Sequence, residues 1–237
     1  MFKLTHWDKN NWLSSRNYNL SLVNFVKSKI LLSKNSLILD IGCGRANLIS
    51  TFHSNLKLKK KPLGLDIIKH KDLKKNISFK KCDALNFLKT NKVKYNLILI
   101  KQTIHFFSKK KIDELLKYAK ESLHDKGYLL ILTLDNNKNE LPSFSLMKKK
   151  LFKSLKNDKK IMKLIKKKLS NYKLFKFKYK VKIKKSIYIS MIKNRYISCL
   201  LDIPKNNIKN GIKEINKKYE KIITFYDRLN CILFIKE

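Results

Sequence analysis

The chain has 237 residues, a formal net charge of +39, and 43% hydrophobic and 11% aromatic residues. This length and apolar content can build a sizeable core, so we predict one folded domain over 1–237 and exclude a disordered chain. Neither a run of about 18 apolar residues nor a leader-like segment is present, so no transmembrane segment is predicted and cytoplasmic residence is the default expectation.

The basic residues are almost all lysine, since only 4 of the 56 are arginine. Arginine binds phosphate bidentately and stacks on bases, so a selected nucleic-acid surface should hold more of it. Lysine, asparagine and isoleucine share A/T-rich codons. One interpretation of the high lysine content is therefore a bias of the genome, with the lysines on solvent-exposed faces. A selected nucleic-acid surface is the other, and both predict weak, nonspecific polyanion binding at low salt.

The four cysteines are scattered and show no C-x-x-C spacing. This predicts reduced thiols in the core or in turns, and no metal site. Residues 1–34 contain the aromatic residues Trp7, Trp12 and Tyr18, followed by apolar residues at helical spacing. We expect the resulting helix to pack beside a sheet.

Residues 37–48 read LILDIGCGRANL, an apolar run that ends near Asp40 and leads into two glycines. The run is typical of a strand buried on both faces of a parallel sheet. Gly42 and Gly44 permit positive φ, and helical periodicity resumes at Asn47, so the turn presents amide N–H groups to a ligand. These features predict a nucleotide-cofactor pocket. The alternative is an ordinary strand-to-helix turn that needs two glycines.

A second short apolar strand, KPLGLDII at 61–68, ends in Asp66, 22 residues beyond Gly44. A carboxylate at the tip of the second strand of a βαβ unit can accept hydrogen bonds from ribose hydroxyls. The turn itself is D-I-G-C-G-R-A, with Asn47 three positions past Gly44, and so it lacks the G-x-G-x-x-G pattern of dinucleotide folds.

The turn resembles the first motif of class I S-adenosylmethionine-dependent methyltransferases, with Ala46 in place of the usual third glycine. Three further motifs follow in the order of that family: ISFKKCDALNFL at 77–88, YNLILIKQTIHFF at 95–107 and GYLLILTLDNN at 127–137. The resemblance covers roughly residues 35–137 and points to the functionally mixed group that methylates small molecules, similar to methyltransferase types 11 and 25.

The resemblance implies S-adenosylmethionine as the cofactor and a contact from Asp83 and Ala84 to its adenine. The full set of predicted cofactor-binding residues is Asp40, Gly42, Cys43, Gly44, Asp66, Ile67, Asp83, Ala84, Lys101 and Gln102. In similar enzymes the leading segment folds over the cofactor, which makes Trp7 and Tyr18 candidate lid and substrate-binding residues. Anchoring of the first helix by aromatic residues is the alternative.

The predicted fold is α/β and Rossmann-like: a seven-stranded, mostly parallel sheet with helices on both faces. Residues 144–170 have the spacing of a long amphipathic helix, whose lysine face lies in water or, alternatively, on an anionic membrane or RNA. LFKFKYKVKI at 174–183 alternates strictly and predicts a half-exposed strand near a sheet edge. NCILFIKE at 230–237 predicts the antiparallel last strand.

Within this domain, 1–34 forms the N-terminal lid or helix, 35–137 the cofactor-binding core and 138–237 the C-terminal half. A helical insertion at about 186–219 precedes the last strand and should lie over the carboxyl ends of the strands as a substrate cap. Arg195 and Tyr196 within it, with Arg228 nearby, are candidate substrate-binding residues for a carboxylate or phosphate. Pairing of Arg228 with Asp227 or Asp202 is the structural alternative.

His105 follows the fourth predicted strand and is the candidate catalytic residue. An amine or hydroxyl acceptor needs its proton removed, so His105 is either a general base or only a pocket residue. The predicted function is methyl transfer to a small-molecule acceptor, an anion being one option. Methylation of ribosomal or transfer RNA through the basic surface is the alternative, and a cofactor-binding protein without catalysis is a third. The oligomeric state is left open.

Overall fold

The computed structural model describes residue 9 and residues 11–237, and this part of the chain forms one seven-stranded sheet flanked by helices. The strands are β1 (Ile38–Ile41), β2 (Leu63–Asp66), β3 (Ser78–Lys81), β4 (Tyr95–Lys101), β5 (Leu123–Leu134), β6 (Tyr172–Lys184) and β7 (Ile222–Ile235). The helices are α1 (Arg16–Lys27), α2 (Asn47–Leu56), α3 (Ala84–Thr90), α4 (Lys109–Glu121), α5 (Ser145–Lys168), α6 (Lys185–Lys193) and α7 (Lys205–Lys218). Short 3-10 turns lie at Trp12–Ser14, Ile104–Phe106 and Ser198–Leu200.

The strand order is β3-β2-β1-β4-β5-β7-β6, and β7 runs antiparallel to both of its neighbours. The other strands are parallel, so the carboxyl ends of β1 to β6 lie along one edge. β1 pairs with β2 on one side and β4 on the other, and this reversal of strand order opens a crevice at that edge. The predicted Rossmann-like sheet with an antiparallel last strand is confirmed.

The alternation of side chains along β4 explains why helices cover both faces of the sheet. Leu97 and Leu99 pack into an apolar layer that includes residues of α1 and α2, while Ile98 and Ile100 pack into a second layer with residues of α3 and α4. All four side chains are fully buried, as expected for a central parallel strand.

The carboxyl-terminal half follows the predicted order, with longer strands. The predicted helix over 144–170 is α5, and the alternating segment is the edge strand β6, paired along its whole length with β7. The last strand begins at Ile222, eight residues before the predicted start. The polar FYDRL segment belongs to β7 because Asp227, in its middle, is buried and accepts a hydrogen bond from the Trp12 indole.

The predicted insertion consists of α6, the 3-10 turn at Ser198–Leu200 and α7. Because β6 ends and β7 begins at the carboxyl edge of the sheet, these elements connect the two strands at that edge. α7 packs closely against α5: a Cβ atom placed on Gly211 would lie 2.5 Å from the ring of Phe144, the residue that precedes α5. None of the helices in the described part of the chain is long and apolar enough to cross a membrane.

Candidate active site

The turn after β1 is held in a left-handed backbone conformation and pinned to β2. Gly42 and Gly44 have φ values of +73° and +55°, and Ala46, which precedes α2, has +60°. The amides of Gly42 and Cys43 both donate to the carbonyl of Leu65, at 2.8 and 3.0 Å. The turn is therefore a fixed loop that leads straight into the N-terminus of α2.

Gly42 also has no room for a side chain. A Cβ atom there would lie 2.2 Å from the Oγ1 atom and 2.4 Å from the Cγ2 atom of Thr103, just beyond β4. Positive φ and this close approach both require glycine. The glycine turn thus brings the ends of β1 and β4 together, so that residues after each strand face the same crevice.

Asp66, at the end of β2, holds the turn from the other side. One carboxylate oxygen accepts a hydrogen bond from the Gly44 amide at 2.9 Å, and the other accepts one from the Ile68 amide at 3.0 Å. Each oxygen keeps a lone pair for a further donor. The neighbouring Ile67 side chain is exposed. Asp66 and Ile67 therefore lie beside the glycine turn, as the sequence motif predicts.

Asp40 is buried in β1 directly before the turn, and its Oδ1 atom has no hydrogen-bond partner in the described structure. Burial raises the pKa of Asp40 to about 7; the Lys101 ammonium opposes this rise and the Asp66 carboxylate adds to it. An unpartnered buried carboxyl oxygen is unfavourable unless a ligand supplies a donor. Asp40 is thus poised to interact with a cationic or hydrogen-bond-donating group in the crevice.

Asp83 caps α3 on the far side of the same edge. Its Oδ1 atom accepts hydrogen bonds from the amides of Leu85 and Asn86, at 2.9 and 3.0 Å, and Ala84 is buried beneath it. The carboxyl ends of the three neighbouring strands β1, β2 and β3 therefore each carry an acidic residue in or just after the strand, namely Asp40, Asp66 and Asp83.

Lys101 is the last residue of β4, and Gln102 follows it. The Lys101 ammonium lies 5.5 Å from the centre of the Tyr18 ring, and its charge acts on both Asp40 and Asp227. Gln102 has a φ of +54°, a strained value for a residue with a side chain, and its buried Nε2 atom has no hydrogen-bond partner in the described structure. At this kink the chain turns away from the direction of β4.

His105 lies in the 3-10 turn after Gln102. Burial lowers the pKa of His105 to about 4, so the imidazole is neutral at neutral pH, and its Nε2 atom has no partner in the described structure. Gln102 and His105 line a small cavity of about 20 Å³, which has room for about one water molecule and is here called the α5 pocket. The other lining residues are Leu134, Leu151, Ser154, Asp158, Ile197 and Ser198.

Asp158 is a residue of this pocket that the sequence analysis missed. It is buried on α5, and burial alone raises its pKa to about 6. A signal for it exists in the sequence: it occupies a position of the apolar stripe of α5, between Leu155 and Met162. A carboxyl group at such a position conflicts with the helical pattern, and such conflicts mark functional or strained sites.

The predicted aromatic residues lie in the core beside the site. Tyr18 is fully buried and makes edge contacts with the rings of Phe177 and Tyr179. Tyr196 is also buried, and its hydroxyl lies 2.9 Å from that of Tyr188. These positions match the alternative of aromatic anchoring at least as well as that of a lid. Trp7 lies outside the described residues.

Both predicted anion-binding arginines are engaged by the protein itself. The Arg195 guanidinium donates to the carbonyls of Leu200 and Leu201, the second at 3.0 Å. Arg228 Nε donates to the Glu140 carboxylate at 2.9 Å, so its partner is Glu140 rather than Asp227 or Asp202. Asp227 is not available because adjacent residues of a strand point to opposite faces, and Asp227 faces the core.

Solved structures of known proteins share this architecture. An S-adenosylmethionine-dependent methyltransferase from Archaeoglobus fulgidus matches 94% of this chain and 95% of its own, with 15% identity and a TM-score of 0.53. The phosphoethanolamine N-methyltransferase 2 of Haemonchus contortus, bound to phosphomonomethylethanolamine and S-adenosylhomocysteine, matches 97% of this chain and 55% of its own, with 16% identity and a TM-score of 0.55.

The plantazolicin methyltransferase BpumL, bound to a desmethylplantazolicin analogue and S-adenosylhomocysteine, matches 97% of this chain and 87% of its own, with 16% identity and a TM-score of 0.52. No curated protein sequence matches the chain. The sequence model of the family described as "Methyltransferase domain" matches residues 32–194, which include β1 to β6 and the glycine turn. The chain therefore belongs to the methyltransferase domain family, and it is one of the class I S-adenosylmethionine-dependent methyltransferases that its sequence resembles.

Proposed function

We propose that the protein transfers a methyl group from S-adenosylmethionine to a small-molecule acceptor by in-line displacement. The observation that carries the choice of acceptor is the α5 pocket. It is small, Gln102 is one of its lining residues, and the next residue, Thr103, packs its side chain on the glycine turn. Two of its lining residues, Gln102 and His105, each have a buried nitrogen atom without a partner in the described structure, and a small polar ligand could supply partners to them.

The residues around the glycine turn fit the cofactor. S-adenosylmethionine carries a ribose, an amino acid end and a positively charged sulfur, and it supplies an electrophilic methyl group when bound. We assign the ribose hydroxyls to the free lone pairs of Asp66, and the adenine to Ile67, Asp83 and Ala84. The unpartnered oxygen of Asp40 suits a positively charged or hydrogen-bond-donating part of the cofactor. The amides of the glycine turn suit the hydrogen-bond-accepting groups of the cofactor.

The main task of the protein in such a displacement is to hold the acceptor in line with the methyl group and to exclude water. Orientation of this kind supplies about 7–11 kcal/mol of the barrier reduction in favourable cases. Apolar side chains of Leu134, Leu151 and Ile197 line the α5 pocket, which favours a dry site. We also propose that His105 contacts the methyl acceptor, since its neutral imidazole offers one hydrogen-bond donor and one hydrogen-bond acceptor.

The other predicted substrate-binding residues of the described structure are buried or already bonded within the protein. Tyr18 and Tyr196 are proposed to shape the site from behind, because both are buried. Direct acceptor binding by Arg195 or Arg228 requires each guanidinium to give up or share the protein acceptors that it contacts. A role for Arg195 in fixing the loop of the cap is therefore the better-supported proposal, with Arg228 tying β7 to Glu140.

Two neighbours of known activity support a small acceptor, since their structures hold phosphomonomethylethanolamine and a plantazolicin analogue. For RNA as the acceptor, the support is the net charge of +39, which is carried by dispersed lysines. We also propose cytoplasmic residence, as expected from the sequence.

Tritium transfer from labelled S-adenosylmethionine tests the proposal directly. A metabolite extract and total RNA are offered in parallel to the wild type and to Gly42→Ala, the matched variant with a blocked turn. We expect label in small molecules with the wild type alone. Label that appears in RNA and not in the metabolite fraction would replace the small-molecule assignment by the RNA assignment.

A further inference from the structure

We propose that the methyl acceptor is an amine and that Asp158 is the residue that binds it. This inference deepens the proposed function and rests on it. The group invoked is the carboxyl of Asp158, which lines the α5 pocket together with Gln102 and His105, two residues that follow β4. The acceptor would be a primary or secondary amine whose nitrogen alone enters the pocket, because the pocket has room for about one water-sized group.

The first argument compares the charge of the α5 pocket with the charge of the whole chain. The protein has 56 basic and 17 acidic residues, yet the eight residues that line the pocket include no lysine or arginine and one acidic residue. A pocket for a carboxylate or phosphate would require a cation. The local charge is therefore suited to a cationic group, against the strong bias of the rest of the chain.

The second argument is the environment of Asp158. Its residue surface is 7% exposed, and no hydrogen bond or neighbouring charge contributes to its altered pKa. An ionised carboxylate that is removed from water needs donors or a counter-ion. An ammonium group supplies both, whereas an anionic acceptor would place a second negative charge in the same small space.

The third argument is the set of groups that accompanies Asp158. His105 is neutral and has a buried nitrogen without a partner, and the Gln102 carboxamide has a buried nitrogen without a partner and an oxygen that can accept. The carboxylate, the imidazole and the carboxamide can each accept an N–H bond. Ser154 and Ser198 line the same space and add hydroxyl groups. These lining side chains offer several hydrogen-bond acceptors, which suits a nitrogen that carries several hydrogens.

Asp158 also suits the proton transfer that an amine acceptor requires. An ammonium must lose one proton before its nitrogen can attack: the N–H bond breaks, its electron pair stays on nitrogen, and the proton joins a carboxylate oxygen. Burial lowers the pKa of an ammonium and raises that of a carboxyl, so the two approach each other in the pocket. Because the pKa of Asp158 is about 6 and that of His105 about 4, Asp158 is the stronger base.

The test begins with the wild-type protein, tritiated S-adenosylmethionine and a metabolite extract, and the mixture is passed over a cation exchanger at about pH 4. Because the unreacted cofactor is itself cationic, the retained fraction is eluted with a salt gradient that separates products from the cofactor and is compared with an enzyme-free reaction. Methylated amines remain cationic and are retained, whereas methyl esters and ethers of neutral or acidic acceptors pass through. We expect retained label. Label found only in the flow-through overturns the amine assignment alone. No product label above that of the enzyme-free reaction overturns the proposed function, and the amine assignment fails with it.

The role of Asp158 is tested by Asp158→Asn, which keeps the shape of the side chain. The control is Asp113→Asn, which removes a half-buried carboxyl of α4, outside the α5 pocket, that pairs with Lys168 at 3.2 Å. We expect Asp158→Asn to lower kcat/KM for the labelled amine fraction at least 30-fold, with S-adenosylhomocysteine affinity unchanged within 2-fold. The control should retain full activity. Activity of Asp158→Asn within 2-fold of wild type would overturn the role.

A second measurement does not depend on turnover. Carbon-13 NMR of the side-chain carboxyl, assigned from the signal lost in Asp158→Asn, follows the titration of Asp158 with saturating S-adenosylhomocysteine. We expect propylamine to lower the pKa of Asp158, because an ammonium stabilises the carboxylate, and propanol to leave it unchanged. A pKa that does not respond to propylamine at concentrations up to about 100 mM would contradict binding at this residue.

Discussion

The buried carboxyl of Asp158 should make the stability of the protein depend on pH in a specific direction. Its pKa is about 6 in the folded protein against an ordinary value of 3.8 in an unfolded chain. The folded state therefore binds more protons than the unfolded state between these values, and stability falls as the pH rises through this range. At about 1.4 kcal/mol per pH unit, the full loss is about 3 kcal/mol.

The perturbation that isolates this effect is Asp158→Asn, since an amide cannot ionise. The free energy of unfolding of wild type and variant is measured by urea denaturation at pH 4.5 and 7.5. About 1 kcal/mol of the loss has already occurred at pH 4.5, so about 2 kcal/mol remains to appear by pH 7.5. The variant should therefore gain about 2 kcal/mol relative to wild type over this interval.

The comparison removes the effect of the net charge of +39, because both proteins carry the same other groups. His105 is the titratable side chain that shares the pocket, and it is present in both. Asp113→Asn is the control and should show only a small fraction of the difference. A difference between wild type and Asp158→Asn that is constant from pH 4.5 to 7.5, or that shrinks, would refute the assignment of a buried, unpaired carboxyl.

Three further predictions concern the cofactor site and the surface. Asp66→Ala should weaken S-adenosylhomocysteine binding by at least 1.5–3 kcal/mol in calorimetry, because it removes the proposed ribose acceptor and the bond to the Gly44 amide; unchanged affinity would exclude Asp66. Gly42→Ala should lower stability by more than about 2 kcal/mol through positive φ and its contact with Thr103, and Thr103→Ala added to it should restore part of this loss in thermal unfolding. RNA affinity measured by filter binding should fall by orders of magnitude between about 50 and 200 mM salt, whereas tight binding that survives would favour the RNA alternative.

The cofactor side of the site was predictable because its signals are local in sequence. A glycine is required wherever the backbone takes positive φ next to a crowded strand end, and this requirement is visible in the D-I-G-C-G turn. Asp66, for which we propose ribose binding, is equally visible, since it ends the next strand. In the same way, the strict alternation of β6 predicted an edge strand.

The acceptor side was less predictable because its partners are distant in sequence. Arg195 suggested an anion site by its rarity, yet its guanidinium meets carbonyls of the following loop, a contact that no periodicity encodes. Arg228 pairs with Glu140, 88 residues away. β7 starts earlier than predicted because Trp12, 215 residues before Asp227, satisfies its buried carboxylate.

The unsatisfied polar atoms connect these observations. Of the five buried side-chain atoms without partners in the described structure, three belong to Asp40, Gln102 and His105, at the carboxyl ends of β1 and β4. Each such atom destabilises the unliganded fold by about 1–3 kcal/mol. Three of them at one edge of the sheet would therefore be unfavourable unless a ligand there supplies their hydrogen-bond partners. Asp40 lies beside the glycine turn, His105 lies in the α5 pocket with Asp158, and Gln102 lies between them. A cofactor beside Asp40 and an amine in the α5 pocket would supply hydrogen-bond partners to these buried atoms. The two ligands would then meet at Gln102, whose backbone is strained.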